Sequence, residues 1–343
     1  MDRTTTKRST AFTTVDLDKP GKQVGFVMIP HSTHDDAWGV TRLPIAVISN
    51  GKGPTVILEG GNHGDEYEGP ITICELIREL DPGELQGRLI LMPANNVHAV
   101  MSGQRTSTVD GLNFNRTFPG DAYGTITQQI SDFVAHEIFP RGDAFLDLHS
   151  GGSSLDILPS AIVEPTEDPV LHRRNVAAVR AFEAPLIVVV SNFGDPRTAT
   201  ATACRAGLTT VGTEMGGGGT VRPEALAICR RGVRNVLGHL GVLPAGASAV
   251  RRDDAPLFEL PGTSAFVYAT ADGIFEPYHL NGDKIHAGDA AGRIHCTWDP
   301  TRAPEVLHYQ VDGILYGRRQ PGRVRPGNCC LVVASPFSGD LTR

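Results

Sequence analysis

The sequence predicts an α/β fold, a mainly parallel or mixed sheet with helices on both faces, followed by a small all-β sandwich or barrel. Three observations carry this. Between residues 24 and 240, apolar runs of strand length alternate with stretches whose apolar residues recur at helical spacing. Around Val242 to Ser248 the composition shifts to small residues, as a linker would. Beyond it come short apolar runs and Gly/Pro turns with almost no helical period. These observations divide the chain into an α/β domain over residues 1–245 and a β-rich domain over residues 250–343.

The elements follow in order. Val24–Ile29 and Leu43–Ile48 read as strands parted by a polar loop, His31 to Gly39. Thr55–Leu58 is an apolar run that leads into Gly60-Gly61-Asn62-His63-Gly64-Asp65-Glu66. Ile71 to Leu80 has helical spacing, with Pro70 suited to its first turn. Arg88–Met92 is a strand stopped by Pro93. Residues 94–125 have no period and are rich in Asn, Gly, Arg and Thr; irregular stretches of this length in compact domains are usually functional or disordered. A helix over Ile126–Phe139 and a strand over Ala144–Leu148, ending at His149, come next. Helix Val170–Phe182 with strand Leu186–Val190, then strand Leu208–Thr213 with helix Pro223–Leu240, complete the alternation. Ligands of such sheets bind beyond the carboxyl ends of strands. His63, His149 and Glu214 all follow strands at that end.

The tail repeats itself. Asp272-Gly273-Ile274-Phe275 recurs as Asp312-Gly313-Ile314-Leu315, and glycines follow each copy at similar offsets. Two copies of a turn-rich unit suggest a pseudo-symmetric β structure, which resembles the biotinyl/lipoyl-like sandwich. Its only lysine, Lys284, lies outside the Asp-Gly-Ile turn where a carrier would be modified, so a structural or site-walling role is expected.

A net charge of −7 argues against nucleic-acid and anionic-membrane partners. The six cysteines form no C-x-x-C pair, which suits reduced thiols in a cytoplasmic protein. The polar start, Met1 to Lys22, has no apolar core for a signal peptide, and no aliphatic run approaches a membrane span. A homo-oligomer stays open.

An imidazole and a carboxylate three residues apart, His63 and Glu66, can hold a divalent metal from one side. A catalytic zinc takes three protein ligands and keeps water in the fourth position; His149 supplies the third. Glu214, at another strand end, can take a proton from water and return it to a leaving amine; the bland alternative is a capping or ion-paired glutamate. The glycine run Gly216–Gly219 lacks the Gly-Lys-Ser/Thr of a phosphate loop. Arg105, Asn115 and Arg116 lie in the irregular segment, where guanidinium groups can hold a carboxylate or an oxyanion, or can be ordinary loop residues.

Four motifs in order resemble the succinylglutamate desuccinylase/aspartoacylase family over nearly the whole chain: His63-Gly64-Asp65-Glu66, Asn113-Phe114-Asn115-Arg116-Thr117-Phe118-Pro119-Gly120, Asp147-Leu148-His149-Ser150-Gly151-Gly152 and Glu214-Met215-Gly216-Gly217. That family comprises deacylases on the zinc carboxypeptidase fold. The resemblance implies one Zn2+ per chain held by His63, Glu66 and His149, with Glu214 as catalytic carboxylate. It further implies that Arg105 polarises the scissile carbonyl and that Asn115 and Arg116 bind the substrate carboxylate. Two departures are Asn113, where aspartoacylase itself carries an aspartate, and a longer spacing from Arg105 to Arg116. The first and third motifs are most similar to the ectoine-catabolic branch, whose members remove acetate from Nα-acetyl-L-2,4-diaminobutyrate.

The expected function is therefore zinc-dependent hydrolysis of a small N-acyl amino acid. Desuccinylase or aspartoacylase activity, a metallocarboxypeptidase and a non-catalytic metal-binding protein are the alternatives. No G-x-S-x-G elbow supports a serine hydrolase. No carboxylate is assigned from the sequence to a substrate's side-chain ammonium.

Overall fold

The computed structural model describes residues 9–191, 194–244 and 255–341. It opens with antiparallel strands β1 (Phe12–Thr13), β2 (Gly21–Pro30) and β3 (Val40–Asn50). The chain then alternates through β4 (Thr55–Gly60), α1 (Glu68–Glu79), β5 (Gly87–Met92), α2 (Val97–Ser102), α3 (Ile126–Phe133) and β6 (Ala144–His149). Next come β7 (Leu155–Ile157), β8 (Ser160–Val163), α4 (Pro169–Phe182), β9 (Leu186–Val189), α5 (Ala199–Arg205), β10 (Thr209–Glu214) and α6 (Pro223–His239).

The sheet is mixed. β4 pairs parallel with β5 and β6, and β6 parallel with β10, but β3 joins β5 and β8 joins β10 antiparallel. The parallel pairs cross over through helical segments, whereas β2 returns to β3 through a short loop, which permits only an antiparallel pair. β4 is buried at every position. Its Val56 and Leu58 pack with Ile73 and Leu76 of α1 and Val233 and Val236 of α6, while Ile57 points into a second core with Ile130, Phe133 and Phe145. Successive side chains of one strand thus serve opposite layers, as the two-sided cover requires.

Two helical segments differ from the sequence reading. The helix expected to Phe139 widens into a π-helical turn over Val134–Ile138. α5, Ala-Thr-Ala-Thr-Ala-Cys-Arg, has no bulky apolar stripe and gave no periodic signal, yet Thr198 caps it by accepting the Ala201 N–H.

From residue 255 on, the described segments are strands and one short helical turn: β11 (Leu257–Glu259), β12 (Phe266–Tyr268), β13 (Gly273–Pro277), β14 (Lys284–Ile285), β15 (Ala290–His295), β16 (Glu305–His308), β17 (Gly313–Arg319), β18 (Arg323–Val324) and β19 (Cys329–Pro336). The order β16-β15-β13-β18 forms a separate four-stranded sheet. The repeated Asp-Gly-Ile segments open β13 and β17, which lie in different sheets. A side chain on Gly273 would stand 2.4 Å from the His295 carbonyl oxygen, and one on Gly313 would stand 2.2 Å from that of Ala334, so both copies need glycine for the same reason.

These strands do not stand apart from the α/β part. β11 pairs parallel with β9 and antiparallel with β19, which carries the large sheet across from one part to the other. At the expected linker, Val242 is fully buried in the α/β core and its carbonyl accepts the Gln86 N–H. Residues 245–248 of that linker lie outside the described residues. Among the described residues, no helix is long and apolar enough to cross a membrane.

Candidate metal and active site

The turn after β4 is built by a close backbone crossing. A Cβ on Gly64 would fall 2.0 Å from the Ala99 carbonyl, and the Gly64 N–H donates to the Gln104 carbonyl at 2.9 Å. Only glycine fits under α2 there. Asp65 accepts hydrogen bonds from the Ser153 backbone and hydroxyl, both 2.7 Å, which ties this turn to the loop following His149.

That arrangement gathers the three expected ligands. His63 Nδ1 lies 2.6 Å from one Glu66 oxygen, and His149 Nδ1 lies 2.8 Å from the other. One donor atom from each of His63, Glu66 and His149 falls within 4.8 Å of the others. The far ring nitrogens are held from outside, His63 Nε2 by Asn113 Oδ1 at 3.1 Å and His149 Nε2 by Asp147 Oδ1 at 2.9 Å. Both Nδ1 atoms therefore converge on one point beside a carboxylate. Two imidazoles and one carboxylate, nearly shut off from water, form a donor set that suits zinc.

The two imidazoles and the carboxylate shift one another's titration. Burial opposes ionisation of Glu66, but the His63 and His149 rings outweigh it and hold its carboxyl well below the usual range. Burial lowers His63. For His149 burial acts the same way, but the Asp147 and Glu66 carboxylates overcome it and raise the imidazole well above its ordinary value.

Glu214 ends β10 directly beside His149 in register. Burial, and then the neighbouring Glu66 charge, push its carboxyl up to about 8, and its Oε2 is buried without a hydrogen-bond partner. Arg105 reaches in from the irregular segment, its Nη1 3.4 Å from His63 Nδ1 and 3.5 Å from Glu66 Oε1. Asn115 is fixed by accepting the Ala199 N–H at 2.8 Å, with its Nδ2 3.4 Å from His149 Nε2. Arg116 lines the same cavity but is tethered, with Nε 3.2 Å from Asp195 Oδ2. Gly216 to Gly219 all take positive φ, from 69° to 134°; Gly217 packs on the backbone of Leu155 and Gly151, Gly218 on the Gln320 side chain and Gly219 on Ser153. Positive φ at four successive positions is a chain path that glycine alone follows readily.

All seven expected residues line one cavity of about 430 Å³. The structure adds residues that sequence reasoning missed. Tyr316 of β17 enters from the C-terminal strands, its hydroxyl 2.6 Å from Ser160 Oγ. Glu164, just after β8, stands on the cavity wall, where burial and then Asp147 push its carboxyl up to about 7. Beneath the site, Glu59 is fully buried opposite Asp147 in register and is pushed up to about 8 by burial and that neighbour. None of these three sits in a motif, so only the folded chain could find them.

Known proteins resemble this chain over nearly its whole length. The sequence model of the succinylglutamate desuccinylase/aspartoacylase catalytic domain matches residues 52–240. The N-alpha-acetyl-L-2,4-diaminobutyric acid deacetylase of Halomonas elongata is 38% identical over 324 residues, 94% of each chain. A crystal structure of a succinylglutamate desuccinylase/aspartoacylase from Rhodobacter sphaeroides superposes with a TM-score of 0.90 at 40% identity, covering 96% of this chain and 100% of that one. The product-bound ectoine utilization protein EutE of Ruegeria pomeroyi superposes with a TM-score of 0.91 at 36% identity, over 95% and 98% of the two chains. This chain belongs to the succinylglutamate desuccinylase/aspartoacylase family.

Proposed function

We propose that this protein is a zinc-dependent deacylase that hydrolyses Nα-acetyl-L-2,4-diaminobutyrate to L-2,4-diaminobutyrate and acetate. The observation that carries the chemistry is the convergence of His63, Glu66 and His149 beside an unpartnered Glu214. The substrate rests on likeness to the Halomonas elongata deacetylase. The enzyme would work in the cytoplasm on a small metabolite, with neither nucleic acid nor membrane as partner. Residues 1–245 would form the catalytic domain and residues 250–343 a β-rich domain that walls the cavity through Tyr316.

His63, Glu66 and His149 would hold the zinc. When bound, it supplies a Lewis acid that acidifies water and polarises a carbonyl. Glu214 takes a proton from the attacking water and delivers it to the departing amine nitrogen. Arg105 donates hydrogen bonds to the carbonyl oxygen as negative charge grows there. Asn115 and Arg116 fix the α-carboxylate, so the amide is presented in one orientation.

The test is kcat/KM for Nα-acetyl-L-2,4-diaminobutyrate, N-acetylaspartate and N-succinylglutamate on one enzyme preparation. The first should win. A clear win for either dicarboxylic substrate overturns the assigned substrate and leaves a deacylase standing.

A further inference from the structure

Resting on that deacylase reading, we propose that Glu164 is the specificity-determining residue and receives a cationic group on the side chain of the N-acyl amino acid. Glu164 follows Val163 at the end of β8 and shares the cavity wall with Ile162 and Val190. Among the described residues, its carboxylate has no hydrogen bond and no ion pair. A carboxylate half-buried on the cavity wall without a partner bears part of the desolvation cost, and burial is the main reason its carboxyl is pushed up to about 7. A bound cation would relieve that cost.

The surroundings favour the same ligand. Asp147 and Glu164 both line this cavity, as does Gly212, which lies opposite Asp147 in register and packs against Ile162. A second carboxylate on the substrate would therefore meet two acids. The two cations whose fields reach Glu164, Arg205 and Arg116, are held elsewhere. Arg205 donates to the Pro196 carbonyl and the Thr202 hydroxyl, both at 2.8 Å, and Arg116 is paired with Asp195. Arg116 and Glu164 still lie within electrostatic reach of each other. A ligand whose carboxylate and cation are separated by a short spacer, as in a small diamino acid, matches that pairing; neutral and dicarboxylic side chains do not.

The test compares kcat/KM of the metal-loaded enzyme on Nα-acetyl-L-2,4-diaminobutyrate and Nα-acetyl-L-2-aminobutyrate, which share a carbon skeleton and differ by the ammonium. Wild type should prefer the first, and Glu164→Gln should cut that preference by about 10- to 100-fold, the usual loss for a charge-assisted contact. An equal loss on both substrates would mark Glu164 as structural and overturn the proposal. A second measurement needs no variant: L-2,4-diaminobutyrate should inhibit wild type at least about tenfold more strongly than L-2-aminobutyrate. Equal inhibition overturns the proposal too. Hydrolysis of the neutral substrate without any preference for the cation sinks Glu164's role alone, whereas no hydrolysis of any N-acyl amino acid sinks the deacylase reading with it.

Discussion

Asn113 holds His63 by its far nitrogen: the amide Oδ1 lies 3.1 Å from Nε2, while Nδ1 of the same ring faces Glu66. An amide oxygen accepts a hydrogen bond but cannot take a proton. It therefore fixes the Nε2–H tautomer and turns the Nδ1 lone pair toward the cluster. His149 is held by the carboxylate of Asp147 instead, so the two rings are backed by unequal partners. Asn113→Ala should weaken zinc affinity by about 10- to 100-fold, and Asn113→Asp should restore it. Competition with a chelator measures this without reference to turnover. Undiminished affinity in the alanine variant would mean that the ring is positioned by something else.

Glu214→Gln keeps shape and hydrogen bonding but removes the base. Turnover should fall by about two to four decades. Zinc content should be unchanged, because Glu214 stands outside the group of three converging donors. Wild-type turnover in this variant would leave Glu214 a structural residue.

The part of the site visible in the sequence was the part carried by strand ends. His63, His149 and Glu214 each follow an apolar run, and short runs feeding into polar residues can be read without tertiary information. Glu164 could not be found that way. It follows a four-residue strand that gave no signal, and its meaning depends on Asp147, which lines the same cavity from another strand. Tyr316 was hidden for a similar reason, since nothing local says that β17 reaches the cavity. The alternation of strands and helices predicted the layers, but whether neighbours run parallel depends on which strands pair, and that belongs to the whole fold.

Gly64→Ala tests the turn. The new methyl would meet the Ala99 carbonyl at 2.0 Å, and that contact is backbone, which cannot swing aside. Displacing α2 or the turn should cost about 3 kcal/mol. Chemical denaturation gives the loss of stability, and zinc content should fall with it because His63 flanks the displaced residue. A variant with wild-type stability and metal content would show that the crossing is looser than drawn.

Glu59 predicts a pH dependence in metal-free protein. Burial, with Asp147 adding, raises its folded-state value from 4.5 to about 8. Between those values the folded chain keeps a proton that the unfolded chain releases, so this group's contribution is complete below about 4.5 and is lost as pH rises toward 8. Glu59→Gln can still accept the hydrogen bond from Asn62 Nδ2, 2.8 Å in wild type, and has no proton to lose. Its Tm should therefore gain on wild type steadily across that window. A constant difference would show that Glu59 ionises normally in the fold.

Arg116 offers the sharpest test of how the substrate is held. Its Nη1 donates to the Asn115 carbonyl at 2.7 Å and its Nε is paired with Asp195 at 3.2 Å, so the guanidinium is aimed before any substrate arrives. Pre-aimed donors lose less entropy on binding, and a half-buried guanidinium gives a carboxylate a stronger hydrogen bond than it gives a neutral amide. Arg116→Ala should therefore cut kcat/KM for substrates with a free α-carboxylate by about 10- to 100-fold while changing the corresponding α-amides far less. Arg116→Lys should recover only part of the loss, because an ammonium lacks the planar fork. If acid and amide substrates fall together in Arg116→Ala, the residue holds the loop rather than the carboxylate, and Asn115 must carry that contact alone.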